Sequence, residues 1–206
     1  MGRNSSKVGM RIRIAAAAAR IMAEDGVDDF ATAKRKAARQ LGASDTQALP
    51  RNDEIEVELR AYRSLYQAAE HPGLLGALRH VALNAMRLLE RFNPYLTGPV
   101  LTGTAGPHAA VDLQLFPVNP KEVELFLLDR GIAYSTAEAR RYSGDRVRAA
   151  TILTLEWEGT VLRLSVFDHR DERLVLKNSL AGRALARAGI REVSTMLATE
   201  HGLAKA

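Results

Sequence analysis

Apolar side chains recur every three or four positions through the first ninety residues, which is the period of an amphipathic helix. Gly26 and Gly42 are suited to ending two of these helices, and Asp28 or Asp29 to capping the start of the second. This part of the chain is therefore predicted to be helical, with helices over residues 11–24, 30–41, 53–69 and 74–92.

The pattern breaks at His71-Pro72-Gly73 and changes again after residue 94, where apolar residues alternate with polar ones or form short runs. We predict an N-terminal helical region, residues 1–72, and a second domain, residues 73–206. The elements predicted after the break and its first helix are strands over 95–97, 111–116, 151–157 and 161–167, a helix over 121–130, one helix or two over 179–201 with a break near Gly189, and a segment over 133–142 that fits either state. Their order predicts an α+β protein with a small mixed β-sheet backed by helices.

Residues 95–116, YLTGPVLTGTAGPHAAVDLQLF, join two predicted strands through a glycine-rich connection. The first strand leads to Gly98, and the second carries the carboxylate of Asp112 between two apolar residues. This arrangement resembles the signature of the DNA polymerase β-like nucleotidyltransferase superfamily. The sequence PKEVELFLLDRGI that follows it is similar to small bacterial members. The resemblance extends from about Leu74 to His201 and implies a minimal nucleotidyltransferase core.

The resemblance also implies a site for a nucleoside triphosphate and Mg²⁺. In the superfamily an Asp–apolar–Asp pair lies on the second strand, and both carboxylates can share metal ions because alternate strand residues point to one face. It implies that Asp112 is the catalytic carboxylate and a metal ligand. Glu156, with Glu158 as the alternative, is the candidate substitute for a further metal-binding carboxylate. The other residues expected to contact the nucleotide are Gly98, Thr102, Gly103, Thr104, Gly106, Gln114 and Arg163.

Three departures from the superfamily pattern affect the catalytic residues. Pro99 follows the first glycine, Ala110 replaces one paired carboxylate, and Arg163 stands where a third carboxylate is expected. A guanidinium repels a metal ion but binds phosphate directly. We therefore predict a pseudoenzyme with an eroded metal site that binds nucleotide or nucleic acid, or a weak or altered transferase. Asp112 can alternatively be a structural carboxylate paired with a nearby arginine.

Positive charge is concentrated near the N-terminus. The net charge is +5, and residues 1–40 hold nine Lys/Arg against four Asp/Glu, which accounts for the whole excess. The densest basic cluster is Lys34, Arg35, Lys36 and Arg39. The stretch IAAAAARIMAEDGVDDFATAKRKAARQLGAS resembles the first two helices of a bacterial helix-turn-helix repressor, which implies an alternative function as a DNA-binding transcriptional regulator. The segment expected to form the recognition helix is acidic and contains Pro50, so a solvated basic helix face is the other interpretation.

Composition restricts the class of protein further. Of the 206 residues 47% are hydrophobic, which is enough for a buried core. The absence of cysteine excludes disulfides and thiolate metal sites and suits the cytoplasm. No apolar run approaches the roughly 20 residues that a membrane-spanning helix needs. We therefore expect a cytoplasmic protein that does not contact a membrane.

Overall fold

The computed structural model describes residues 2–27, 29–44, 46–177 and 184–203, with side chains described between residues 7 and 200 of these ranges. The chain divides into two compact units. The helical unit consists of residues 1–74 together with 106–108, and the sheet unit of residues 75–105 and 109–206.

The helical unit contains three helices, α1 (Gly2–Glu24), α2 (Phe30–Gln40) and α3 (Asn52–Tyr66). Helix α1 packs against both α2 and α3. Its alanine run supplies small buried side chains, which let neighbouring helices approach closely, and larger buried residues such as Ile14, Ile55 and Leu59 fill the remaining space. All three helices fall where the apolar period predicts them, although α1 begins nine residues earlier than predicted, at Gly2 rather than residue 11.

Asp29 caps α2, which confirms one of the two predicted candidates; Asp28 lies outside the described residues. Its carboxylate accepts a hydrogen bond from the Thr32 backbone N–H at 2.7 Å. Hydrogen bonding from the Thr32 side chain, and after it from this backbone N–H, lowers the pKa of Asp29. We expect Asp29→Ala to lower the free energy of unfolding by about 1 kcal/mol, because an N–H of the first turn loses its partner. Urea unfolding followed by circular dichroism measures this. Asp25→Ala is the control, since the Asp25 side chain forms an exposed ion pair with Lys36 at 3.9 Å, a kind of contact that contributes little; an equal loss in both variants would contradict the cap.

The strands and the other described helices follow α3 in the chain. Helix α4 begins at His71, so the break between helices falls at residues 67–70 rather than at the predicted His71-Pro72-Gly73. Pro72 lies in the first turn of α4, where a missing backbone N–H costs nothing. The elements are α4 (His71–Leu88), a 3-10 turn (Glu90–Phe92), β1 (Tyr95–Thr97), α5 (Gly98–Thr102), β2 (Val111–Leu115), α6 (Lys121–Asp129), β3 (Tyr134–Ser143), β4 (Arg146–Trp157), β5 (Thr160–Val166), a second 3-10 turn (His169–Asp171) and α7 (Ile190–Leu203).

The five strands form one mixed sheet in the order β1-β2-β5-β4-β3. Strand β2 is parallel to β5, and the other neighbours are antiparallel. Strands β2 and β5 bury one face completely, as their alternating apolar residues predict. The buried residues of that face are Val111, Leu113, Leu115, Leu162, Leu164 and Val166. The predicted α+β class, a small mixed sheet with helices, is confirmed.

The opposite face of the sheet is called the polar face here and carries Thr97, Asp112, Gln114, Arg163 and Ser165. A second apolar cluster covers one end of it, where the rings of Phe116 and Phe167 stack at 5.4 Å. Leu176, from the segment that follows β5, packs into the same cluster. This segment therefore buries one end of the face, while Arg163 at the other end stays about half exposed.

Three local predictions are corrected or resolved. The glycine-rich connection was expected to be a loop, but it begins with the short helix α5. The ambiguous segment 133–142 forms strand β3, because it pairs along its whole length with β4. Over residues 179–201 the predicted break near Gly189 is confirmed, since helix α7 starts at Ile190; residues 184–189 are not helical, and 178–183 lie outside the described residues. Among the described helices, none has the length and hydrophobicity required to cross a membrane.

Candidate functional site

The turn after β1 brings the backbone against a carboxylate. Gly98 has φ +70°, and a Cβ atom placed on it would lie 2.5 Å from Oδ2 of Asp112. Only glycine accommodates both the left-handed backbone and this close approach. Pro99 follows in the first turn of α5, and Gly103, with φ +77°, ends that helix. The glycine signature therefore seats α5 directly beside Asp112.

Asp112 is paired with Arg163. The two residues are direct neighbours in the parallel register of β2 and β5. Arg163 donates from Nε to Oδ1 at 2.7 Å and from Nη2 to Oδ2 at 3.1 Å, which is the two-point geometry of a strong guanidinium–carboxylate pair. The side chain of Arg163 is 48% exposed and that of Asp112 22% exposed. The pair is therefore open to a ligand from the Arg163 side.

A second guanidinium lies within electrostatic range of this pair. Burial of Arg141, on β3, lowers the pKa of its guanidinium, Asp112 acts in the opposite direction, and Arg163 adds to the lowering. An arginine stays charged despite such a shift. Asp112 thus acts on the pKa of Arg141 electrostatically, whereas it accepts two hydrogen bonds from Arg163.

Gln114 is the second residue that β2 directs to the polar face. It is only 2% exposed, and its Oε1 atom has no hydrogen-bond partner among the described residues. Ala110, at the position where the resemblance places a carboxylate, precedes the strand. Within β2 the polar face therefore presents one carboxylate and one buried amide rather than two carboxylates.

The residues present do not fit a catalytic Mg²⁺ ion. Mg²⁺ is held by anionic oxygen ligands at short, strict distances, but Asp112 already binds a cation and Gln114 offers only a neutral amide. Glu156, the further ligand implied by the resemblance, lies on β4 opposite Val161, whereas the β4 residue in line with Arg163 and Asp112 is Thr154. No group of three His, Asp or Glu side chains in the described part of the chain could hold a metal ion.

The remaining residues implied as a phosphate cradle have local contacts of their own. The hydroxyls of Thr102 and Thr104 are 2.9 Å apart, and the backbone N–H of Thr104 donates to Pro99 O. Gly106 belongs to the helical unit, where a Cβ atom on it would lie 3.2 Å from Nη2 of the buried Arg63. These contacts account for the residue types in this connection without a ligand.

Helix α5 is anchored by an arginine that the sequence did not single out. Arg79, on α4, is 8% exposed and donates from Nε to Val100 O and from Nη2 to Leu101 O, both at 3.1 Å. Its Nη1 group binds the carboxylate of Glu200. The sequence signal was present, since a charged residue interrupts the apolar side of α4, but its partners are remote in sequence.

The basic cluster of the helical unit is divided between two environments. Lys34 donates to Asn52 Oδ1 at 2.7 Å, and burial lowers its pKa. The other three, Arg35, Lys36 and Arg39, are exposed on α2.

Helix α3, at the place where a recognition helix is expected, begins with the acidic residues Asp53 and Glu54. Arg11 of α1 binds the Glu54 carboxylate at two points, 2.7 and 2.9 Å.

Comparisons of the chain with protein-family models, with curated proteins and with solved structures find no match.

Proposed function

We propose that this protein is a nucleotidyltransferase-like fold that binds the phosphate groups of a nucleotide directly through Arg163, without a metal ion. The observation that carries the proposal is the two-point pairing of Arg163 with Asp112 at 2.7 and 3.1 Å. It places a fixed cation on the polar face where the resemblance implies a carboxylate. The close approach of the Gly98 backbone to the Asp112 carboxylate supports the nucleotidyltransferase-like fold proposed here.

The chemistry of the pair suits phosphate recognition. Asp112 accepts hydrogen bonds from Nε and Nη2 of the Arg163 guanidinium and so fixes the plane of this group, which leaves Nη1 available to a ligand oxygen. Arginine recognises phosphate through such planar donor groups, and a guanidinium held in advance loses less entropy on binding. In this proposal Asp112 is a positioning residue for Arg163 rather than a metal ligand.

The proposal makes a prediction that calorimetric titration checks. We expect a nucleoside triphosphate to bind in the presence of EDTA, and Mg²⁺ to add no affinity, because it neutralises phosphate oxygens that Arg163 would otherwise bind. Arg163→Gln should weaken binding at least about tenfold, the loss expected for one charged hydrogen-bonding partner. Arg87→Gln is the matched control, since Arg87 is exposed on α4. Binding that needs Mg²⁺, or an equal effect of both variants, would contradict the proposal.

A transferase activity is the enzymatic version of the same assignment. It is tested by incubating the protein with α-labelled nucleoside triphosphates, Mg²⁺ or Mn²⁺, and bulk RNA or protein as acceptors. Two-metal transfer requires carboxylates that hold the ions at the reacting oxygens. We expect no label transfer. Transfer that Asp112→Ala abolishes would replace the binding proposal with an active enzyme.

A DNA-binding regulator is the second candidate function, and the exposed side chains of Arg35, Lys36 and Arg39 on one helix favour it. Phosphate contacts of this kind give an affinity that falls steeply with salt. Titration of duplex DNA at several salt concentrations separates the two proposals. An affinity for DNA that falls steeply with salt concentration, with a slope that Lys36→Ala and Arg39→Ala reduce, would support a regulator. An affinity that does not depend on salt would contradict this second proposal and favour nucleotide binding.

A further inference from the structure

Strands β4 and β5 present two rows of side chains at the exposed end of the polar face. In the first row Arg163 lies directly opposite Thr154, and in the second row Val161 lies directly opposite Glu156. Because alternate strand residues point to one side, all four side chains share the face that carries Asp112. The Arg163 side chain is 48% exposed, Val161 is 46% exposed, and Glu156 is exposed as well. The two rows therefore form a surface that a ligand can reach.

The spacing of the two rows matches the dimensions of one nucleotide. The rows are about 7 Å apart, since each residue of a strand adds about 3.4 Å. Glu156 is the diagonal neighbour of Arg163 on the adjacent strand, a separation that long side chains span. In a nucleotide the 5′-phosphate and the ribose hydroxyl groups are separated by the sugar ring and one methylene group. One molecule can therefore place its phosphate in the first row and its ribose in the second.

The charges of this end of the face favour different groups in the two rows. Asp112 accepts two hydrogen bonds from Arg163, and these two residues form a neutral pair. The residue of the first row on β3 is the uncharged Ser135. Glu156 thus adds one net negative charge, in the second row. A carboxylate only accepts hydrogen bonds and repels a further phosphate group, so the second row suits neutral donors such as hydroxyl groups.

The second row also has an apolar part. The exposed side chain of Val161 lies directly opposite Glu156, so an apolar surface and a hydrogen-bond acceptor are adjacent. A ribose has both kinds of partner, because its ring carries C–H groups and its hydroxyls donate. A carboxylate is also the group that holds a ribose hydroxyl in dinucleotide-binding folds.

We propose that Glu156 binds the ribose hydroxyl groups of a nucleotide whose phosphate lies on Arg163. The ligands of the site are then ribonucleotides, because a 2′-deoxyribonucleotide lacks one of the donors. This inference rests on the proposed nucleotide-binding function and specifies its ligand class. It assigns Glu156 a role that requires no metal ion.

Calorimetric titration of the full chain in EDTA tests the inference. The probes are adenosine 5′-triphosphate, 2′-deoxyadenosine 5′-triphosphate and pyrophosphate, which has phosphate groups but no ribose. We expect the ribonucleotide to bind at least about tenfold more tightly than the deoxyribonucleotide, the loss expected for one hydrogen bond to a charged group. The two nucleotides carry the same charge, so repulsion between Glu156 and phosphate does not affect the ratio of their affinities.

The matched variants are Glu156→Ala and Glu138→Ala, which remove exposed carboxylates from opposite faces of the sheet. Glu156→Ala should bind the two nucleotides with equal affinity, whereas Glu138→Ala should keep the preference. Pyrophosphate should bind Glu156→Ala at least as tightly as the parent, because a neighbouring negative charge is removed. Glu156→Gln, which keeps one acceptor oxygen, should keep part of the preference. Melting temperatures show that folding is retained, and Glu156→Gln takes the place of Glu156→Ala if the latter unfolds.

The possible failures are distinct. Absence of pyrophosphate binding by the parent protein would overturn the proposed function itself. Binding of pyrophosphate with equal affinities for the two nucleotides would overturn only the ligand class inferred here. A preference that Glu156→Ala retains, or that Glu138→Ala removes equally, would overturn the role of Glu156.

Discussion

Gly98→Ala is expected to lower the free energy of unfolding of the sheet unit by about 2–4 kcal/mol. The left-handed backbone, φ +70°, is unfavourable for alanine, and the new Cβ atom would lie 2.5 Å from Oδ2 of Asp112. The substitution must therefore displace either α5 or the carboxylate that holds Arg163. Urea unfolding followed by the fluorescence of Trp157, the one tryptophan of the chain, measures the loss.

Gly131→Ala is the matched control for this prediction. Gly131 has a similar backbone angle, φ +64°, but nothing lies within 4 Å of a Cβ atom placed there. Gly131→Ala should lower the free energy of unfolding only by the cost of the left-handed backbone, about 1 kcal/mol. Equal losses in the two variants would show that the contact between Gly98 and Asp112 is not tight. Nucleotide binding should also weaken in Gly98→Ala and stay unchanged in Gly131→Ala.

Arg79→Met should have a comparable effect, again about 2–4 kcal/mol. Methionine fills much of the same volume but cannot donate, so Val100 O, Leu101 O and the carboxylate of Glu200 all lose their shared partner. Unpaired buried acceptors cost more than the bond itself contributes, although the partial exposure of Glu200, 35%, moderates the charge effect. Fluorescence-detected unfolding of the sheet unit measures the loss.

Arg87→Met is the control for this prediction, because Arg87 is exposed on the same helix. It tests whether replacing any arginine of α4 by methionine lowers the free energy of unfolding. The replacement of Arg87 should change the free energy of unfolding by less than about 0.5 kcal/mol. A loss in Arg79→Met no greater than this would mean that the hydrogen bonds to α5 contribute little. The position of α5, and of the glycine turn that precedes it, would then depend on packing alone.

Elements with strong local signals were predictable from the sequence. The apolar period located α1, α2 and α3, and alternation located β5 and the part of β4 over residues 151–157, although β4 begins five residues earlier, at Arg146. Segment 133–142 gave no clear answer, since its tyrosine and threonine favour a strand and its alanines and arginines a helix. Pairing with β4 decided it, because hydrogen bonds to a neighbouring strand outweigh weak local preference.

The candidate site was predictable in part. The residues that lie together at its centre, Gly98, Asp112 and Arg163, were all named from the sequence, because a glycine signature and two strand positions of fixed parity identify them. Arg79 was not named, because the residues that it contacts lie more than twenty positions away in the sequence. Arg141 was not named either, because it lies in the segment for which the sequence favoured neither helix nor strand. Glu156 was named but lies two strands from Asp112.

Local sequence signals were enough to predict the α+β class, the succession of most helices and strands, and the loss of carboxylates from the expected metal positions. These properties follow from residue type and from periods of two or three to four residues. Which charged side chains lie next to one another became known only from the folded chain. The parallel register of β2 and β5 sets Arg163 beside Asp112. Contacts of this kind depend on strand order and register, which no local period encodes.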